Sequence, residues 1–256
     1  MGATPGPNPV LPMAWDRVFK SKTKLSGVWV DRGLTRSQTL YRYMRWKPYG
    51  RSMFEQKQLF FSAPYRWTDP YERWWCEQLF KAGSKLAKVN AYALCSTSSW
   101  GDEPYWRMYD HSGTVPVIRL TTSVRRLVDV LSRYVDERQA KAYIGKVTYH
   151  SAAELQDEAI RLRGLGESAQ LARSAAHALM LKRNAFRFEA EHRIAIIERG
   201  DNHDHRLVAF EPTALFTNVM LAPSMSPKAE QLIRNYLAKH GFGEDQVRRS
   251  SLYEPI

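Results

Sequence analysis

Short runs of alternating or continuous apolar residues predict strands at 40–45, 58–62, 91–96, 115–121, 143–149, 193–197, 206–210 and 215–221. Helical periodicity and capping signals fall between them. Pro70 at a first helical position predicts a helix over 69–81, and another is predicted over 123–136. Ser151 and Glu154 form a capping-box pattern ahead of a helix to residue 163. Gly164 and Gly166 break that helix, and 167–182 continues it. Ser226-Pro227 opens a last helix with Ala229, Leu232, Ile233, Tyr236 and Leu237 on one face, and Gly241 stops it. The segments 193–197 and 206–210 flank the turn-rich Asp201-Asn202-His203-Asp204 and predict a hairpin.

Strands and helices follow one another without a regular βαβ alternation. The expected class is α+β: a compact mixed or antiparallel sheet with flanking and inserted helices. The chain has 256 residues, enough for one sizeable core. Pro5, Pro7, Pro9 and Pro12 mark 1–14 as an extended lead-in, with one domain over 15–256 and a helical insertion at about 151–182.

Composition adds charge to this picture. Lysine and arginine total 38 against 26 acidic residues, a net +12, which points to a polyanionic partner such as nucleic acid. Residues 16–51 hold ten basic residues against Asp16 and Asp31, with Trp29, Tyr41, Tyr43, Trp46 and Tyr49 among them. Basic side chains hold phosphates and aromatic rings stack on bases; a solvated basic surface over an aromatic core gives the same pattern. No apolar run reaches the roughly 20 residues of a membrane-spanning helix, and the N-terminal residues do not read as a secretory leader. Two separated cysteines, Cys76 and Cys95, suggest neither a disulfide framework nor a zinc site. The expected setting is the cytoplasm, with no membrane partner.

Several residue groups have chemistry to offer. Arg42 lies on a strand between Tyr41 and Tyr43, where a guanidinium can hold a pyrophosphate. Ser96-Thr97-Ser98 ends an apolar strand, and its hydroxyls can orient a ribose or brace a carboxylate. Glu189 and Glu191 are two apart, so on a strand both would face one side. Such crowding is relieved where Arg193 or another cation pairs them, where one takes up a proton, or in a surface ladder with Arg187 and Arg193. Trp106 and Tyr109 share a helix face and serve either ring stacking or core packing. Asp69 and Glu72 read as acidic first-turn residues of a helix, or as carboxylates near Arg42. His203 and His205 sit in a turn with too few fixed ligands for zinc, so no metal site is assigned. The chain has no Walker loop, Gly-x-Gly-x-x-Gly, Gly-x-Ser-x-Gly or His-Glu-x-x-His motif.

In chain order, Arg42, Ser96-Thr97-Ser98 and Glu189-x-Glu191 resemble the three-part signature of arginine-type ADP-ribosyltransferases. That resemblance implies an ADP-ribosyltransferase-like fold and NAD as substrate. It implies Arg42 on the phosphates, with Tyr41, Ser96, Thr97, Trp106 and Tyr109 as further cofactor-binding residues. Glu191 would support the oxocarbenium-like transition state, and Glu189 would orient the acceptor. Arg42, Ser96 and Glu191 are then expected to line one cleft. The 91-residue gap from Ser98 to Glu189 is long for the signature, and the helices at 151–182 account for it.

A broader resemblance spans about 40–240. It runs through Leu40-Tyr-Arg-Tyr43, Leu59-Phe-Phe-Ser-Ala-Pro64, Thr68-Asp-Pro-Tyr-Glu72, Leu94-Cys-Ser-Thr-Ser98, Trp106-x-x-Tyr109, Lys182 through Arg193, and Val219-Met-Leu-Ala-Pro223. These blocks are similar to the bacterial family catalogued as domain of unknown function 2971. Thr68 stands for its asparagine, Phe186 for its tryptophan and Ala222 for its glycine. The likeness implies a bacterial toxin or phage-defence effector, with an antitoxin or regulator as a further partner. Two other classes are carried forward. One is a nonenzymatic module that binds nucleic acid or a protein partner. The other is a metal-dependent nuclease using Asp69, Glu72, Glu189 and Glu191.

Overall fold

The computed structural model describes residues 27–80, 83–100, 103–110, 112, 114–163 and 171–254. The lead-in at 1–14, residues 16–26 of the basic segment at 16–51, and the Gly164/Gly166 break lie outside the described residues.

The class is α+β. The strands are β1 (Val28–Val30), β2 (Thr39–Arg45), β3 (Gln58–Ser62), β4 (Asn90–Thr97), β5 (Val117–Ser123), β6 (Lys141–Lys146), β7 (Thr148–His150), β8 (Leu181–Arg183), β9 (Glu191–Glu198), β10 (His205–Ala209), β11 (Asn218–Leu221) and β12 (Val247–Arg249). The main sheet runs β1-β6-β9-β4-β2-β5-β11-β12, with β3 attached to β4 and β10 to β3. Its pairs are antiparallel except β1/β6 and β11/β12; β7 and β8 form a separate parallel pair.

The sheet is buried on both faces, and β9 is the reason. All eight of its residues are buried. Successive side chains point to opposite faces, so Ile194 and Ile196 enter one core and Ala195 and Ile197 the other. On the first face lies α4 (Val124–Arg138), whose Leu127, Val128, Leu131 and Val135 form its apolar stripe. Its N-cap, Ser123, accepts from the Arg126 amide and so satisfies one of the helix's free N–H groups. On the second face, α2 (Pro70–Phe80), α5 (Ala152–Arg163) and α6 (Leu171–Leu179) pack against Ala91, Ala93 and Ala195. Alanines on the sheet make room for Trp75 and Leu79 of α2. The insertion at 151–182 therefore completes a core. Each buried leucine or isoleucine contributes on the order of 1.5–3 kcal/mol.

The structure corrects several expectations. The 193–197/206–210 hairpin does not form: β9 has both edges taken, by β4 and β6, so β10 pairs with β3 instead. The strand expected over 143–149 divides at Val147, whose amide donates to the Glu191 carbonyl at 2.9 Å while the Thr148 amide turns to Met180 at 2.8 Å. The helix expected through 182 ends at Leu179, and Leu181–Arg183 is strand. Pro212 starts a short helix, α7 (Pro212–Leu215), so strand begins only at Asn218. In α8 (Pro227–Ala238), Ile233 and Leu237 are buried but Leu232 is 63% exposed. The capping box is present: the Ser151 amide donates to Glu154 at 2.7 Å, and the Glu154 amide to Ser151 Oγ at 3.3 Å.

Candidate active site where β2 and β4 part

Along one edge, β4 pairs with β9 from Asn90 to Thr97. Its other edge is held at two points only: Ala93 opposite Ser62 of β3, and Thr97 opposite Tyr41 of β2. Between those points the sheet forks, and the exposed edge of β4 becomes the floor of a cleft of about 700 Å³. Arg42 reaches across the fork and donates to the Cys95 carbonyl at 2.5 Å, which satisfies an acceptor that a neighbouring strand would otherwise take.

The floor is a buried ionic network. Thr97, Cys95, Glu191 and Arg193 share one face, because Thr97 is opposite Glu191 and Cys95 opposite Arg193. Arg193 is fully buried and grips Glu191 with two bonds, Nε to Oε1 at 2.8 Å and Nη2 to Oε2 at 3.0 Å. It also donates to the Leu179 carbonyl at 2.7 Å and to Glu72, and its guanidinium lies 4.5 Å from the Trp67 ring centre. Lys182 is equally committed: its Nζ is 2.6 Å from Glu189, 3.0 Å from Glu191 and 3.7 Å from Glu72. Three carboxylates thus share two cations, leaving one excess negative charge when all are ionised.

This environment separates the two glutamates. Burial pushes the Glu191 carboxyl up, but Arg193 and Lys182 outweigh it and hold it at about 2. For Glu189 burial prevails over the Lys182 contact, so its carboxyl is raised. Lys182 is raised too, because Glu191 and Glu72 overcome the burial that would lower it. One fixed anion beside one carboxyl that takes up a proton more readily is an arrangement suited to acid–base work.

The carboxylates meet differently from the strand expectation. Glu189 ends a 3₁₀ turn (Asn184–Glu189), Ala190 has φ +39°, and Glu191 starts β9. Inside the fold Arg193 pairs with Glu191 and Lys182 with both glutamates, whereas Arg187 is exposed. The turn is pinned by its Glu189 carbonyl, which accepts from Thr97 Oγ1 at 2.8 Å and from the Tyr105 hydroxyl. Tyr105 also donates to Thr97 Oγ1 at 2.9 Å.

Of the residues expected to bind a cofactor, Tyr41, Arg42, Ser96, Thr97 and Tyr109 border the cleft, as do Glu189 and Glu191. Ser96 corrects the expectation: it pairs with His192, its side chain takes the sheet face opposite Glu191, and its hydroxyl donates to the His192 carbonyl at 3.1 Å. Trp106 is a core residue, packed edge-on against Tyr43 at 4.9 Å between ring centres. Arg193, expected as a cation that could pair the glutamates, pairs Glu191, and the unforeseen contributors are Lys182 as the shared cation, Trp67, Tyr105, Cys95 and Arg183. One sequence signal was available: Arg193 stands directly before the apolar run 194–197, where an arginine requires a buried partner.

Arg183, which also lines the cleft, lies 4.5 and 5.2 Å from the Tyr71 and Phe186 ring centres and faces Asp69 at 3.4 Å. The Nε atoms of Arg42 and Arg183 are both buried without a hydrogen-bond partner among the described residues. Among those residues no group of three or more His, Cys, Asp or Glu side chains is placed to hold a metal ion. Asp69, Glu72, Glu189 and Glu191, the carboxylates of the nuclease expectation, face arginine or lysine instead. No helix among the described residues is long and apolar enough to cross a membrane.

The chain matches no family model, no curated protein and no solved structure.

Proposed function

We propose that the cleft binds NAD and breaks its nicotinamide–ribose bond, passing ADP-ribose to an acceptor. The observation that supports this reading best is the pairing of Glu191, whose carboxyl is held low, with Glu189, whose carboxyl is raised, in a cleft that Arg42 and Arg183 also line. Guanidinium groups lining a cleft suit a diphosphate, whose oxygens accept charge-assisted hydrogen bonds from them. Aromatic side chains of the cleft, Tyr41 and Tyr109 among them, offer surfaces for the rings of a dinucleotide.

In the reaction, the C1′–N bond breaks and nicotinamide leaves with the electron pair as a neutral base. Positive charge develops on the ribose, and the excess negative charge around Glu191 stabilises it more in the transition state than in the ground state. In the same step the acceptor's lone pair forms the new bond to C1′ and its proton passes to Glu189, so cleavage itself depends on Glu189. Thr97 and Tyr105 act as positioning residues by fixing the turn that carries Glu189. In this assignment Ser96 contacts no ribose, which departs from the signature that suggested it. A bacterial effector related to the domain of unknown function 2971 family would fit this activity.

A second reading, a binding module without turnover, draws on one specific observation: both oxygens of Glu191 are already bonded to Arg193 and Lys182. Single-turnover assays with NAD labelled in the ADP-ribose half separate the two. The proposal expects loss of intact NAD in wild type and a fall of on the order of 100- to 1,000-fold in Glu189→Gln. Tight binding with NAD recovered intact would establish the module instead.

A further inference from the structure

The elements around the cleft carry exposed aromatic rings that the proposed chemistry does not use. Phe60, Tyr65, Trp74 and Phe188 are 51%, 37%, 43% and 54% exposed. Each belongs to an element that contributes a wall of the cleft: β3, the turn Pro64–Arg66, α2, and the turn Asn184–Glu189. Arg66, Arg183 and Arg187 come from the same elements or their immediate neighbours. Arg66 pairs with Asp204 across 3.7 Å with both side chains more than half exposed, and Arg183 meets Asp69 only at 3.4 Å. Arg187 makes no ion pair among the described residues and is exposed.

Phe60, Arg66 and Arg183 line the cleft itself, and exposed rings on the elements around it are costly, since apolar surface in water is unfavourable. Interleaved with arginines, they make the surface that suits a flexible polyanion with flat faces: guanidinium groups for phosphates, rings for unstacked bases. A duplex hides its base faces, and an acidic peptide has none to stack.

We propose that the mouth of the cleft binds a single nucleic-acid strand. The net charge of +12 complements that partner. Docked there, a base edge or sugar hydroxyl of the strand stands over Glu189, which makes the strand the acceptor. That acceptor role rests on the NAD-cleaving reading, whereas the docking does not.

The test uses the full chain without NAD. Anisotropy of labelled 20-nucleotide single strands is measured against salt, beside the same sequence as duplex and a poly-glutamate competitor. The expected results are preference for the single strand, and a log–log salt slope near −2 from about three phosphate contacts. Phe60→Ala and Phe188→Ala are each expected to weaken binding roughly 5- to 100-fold, the range of one lost stacked base. Arg187→Ala is expected to flatten the slope by about 0.7. Because these side chains are exposed, melting temperatures of the variants are expected to match wild type. Equal or tighter duplex binding, unchanged affinity in both phenylalanine variants, or equal displacement by poly-glutamate would each overturn the proposal. None of these results depends on NAD cleavage, so either reading can fail alone.

Discussion

Arg193 and Glu191 form a two-bond ion pair, 2.8 and 3.0 Å, wholly inside the protein and on one face of β9. A charge pair in that position is stable only while both members are present. Breaking a buried pair by removing one partner leaves an uncompensated charge and costs about 3–5 kcal/mol. Glu191→Gln leaves Arg193 and Lys182 balanced by Glu72 and Glu189, so the expected loss of stability is smaller, about 1.5–3 kcal/mol for the charged hydrogen bonds that Glu191 accepts from them. Urea denaturation measures it; a variant as stable as wild type would show the pair to be dispensable. The sequence alone points the other way, because two adjacent carboxylates read as mutual repulsion that a glutamine would relieve. The two cations that reverse the sign are brought in by the fold.

Lys182 gives a sharper case. Its ammonium is the shared counter-ion of Glu72, Glu189 and Glu191. Lys182→Met keeps the length of the side chain and removes the charge. It is expected to destabilise the fold by about 3–5 kcal/mol at neutral pH. Much of the loss should be recovered as pH falls and Glu189 takes up a proton. A loss equally large at acidic and neutral pH would count against the shared-cation account.

Two pH windows follow from the same network. Glu191 and Glu158 are both held at about 2: burial opposes this in each, but Arg193 and Lys182 in the first case, and His177 and Arg161 in the second, outweigh it. A lowered carboxyl contributes stability that is fully present above its unfolded value of 4.5 and is lost as pH falls toward 2. Glu189 is raised, so the folded protein binds that proton more readily than the unfolded chain does. Ionising it opposes folding as pH rises above 4.5. NAD cleavage is thus expected to fall on acidification before the fold does. Rate and circular dichroism measured across the same buffers check this, and coincident loss of both would contradict it.

The cysteines report on the cleft. Cys95 is exposed at its floor, while Cys76 is buried on the core face of α2. Desolvation raises the Cys95 thiol above its ordinary range, so labelling should be slow at neutral pH and speed up in alkali. One maleimide per chain is expected, at Cys95, and NAD should protect it. Labelling of Cys76 in the native protein, or labelling of Cys95 that NAD leaves unchanged, would contradict the placement of the ligand.

Much of the architecture is legible in local pattern. The strand at 58–62 and the helices opened by Pro70, Ser123, Ser151 and Ser226 occur with close to their expected bounds, because caps and alternation act within a few residues. Pairing is another matter. The 206–210 segment looks like the partner of 193–197, yet nothing local records that β4 and β6 already occupy β9. The site shows the same division. Arg42, Tyr41, Thr97, Tyr109, Glu189 and Glu191 all border the cleft, but Ser96 faces away and Trp106 belongs to the core. Strand parity sets Ser96's direction and register with Glu191 decides which parity applies, and register is a property of two distant segments. Lys182, 7 residues before Glu189, reaches it only because the chain turns through a 3₁₀ segment between them.

The central claim is that Glu189 and Glu191 form the chemical centre of an NAD-cleaving cleft. Nicotinamide release from NAD, followed by chromatography over several hours with wild type and Glu189→Gln at matched folded concentration, tests it most directly. The account predicts release by wild type, and a rate reduced on the order of 100- to 1,000-fold in Glu189→Gln with NAD affinity retained. Intact NAD after incubation with folded wild type, or full release by the Glu189→Gln protein, would contradict it.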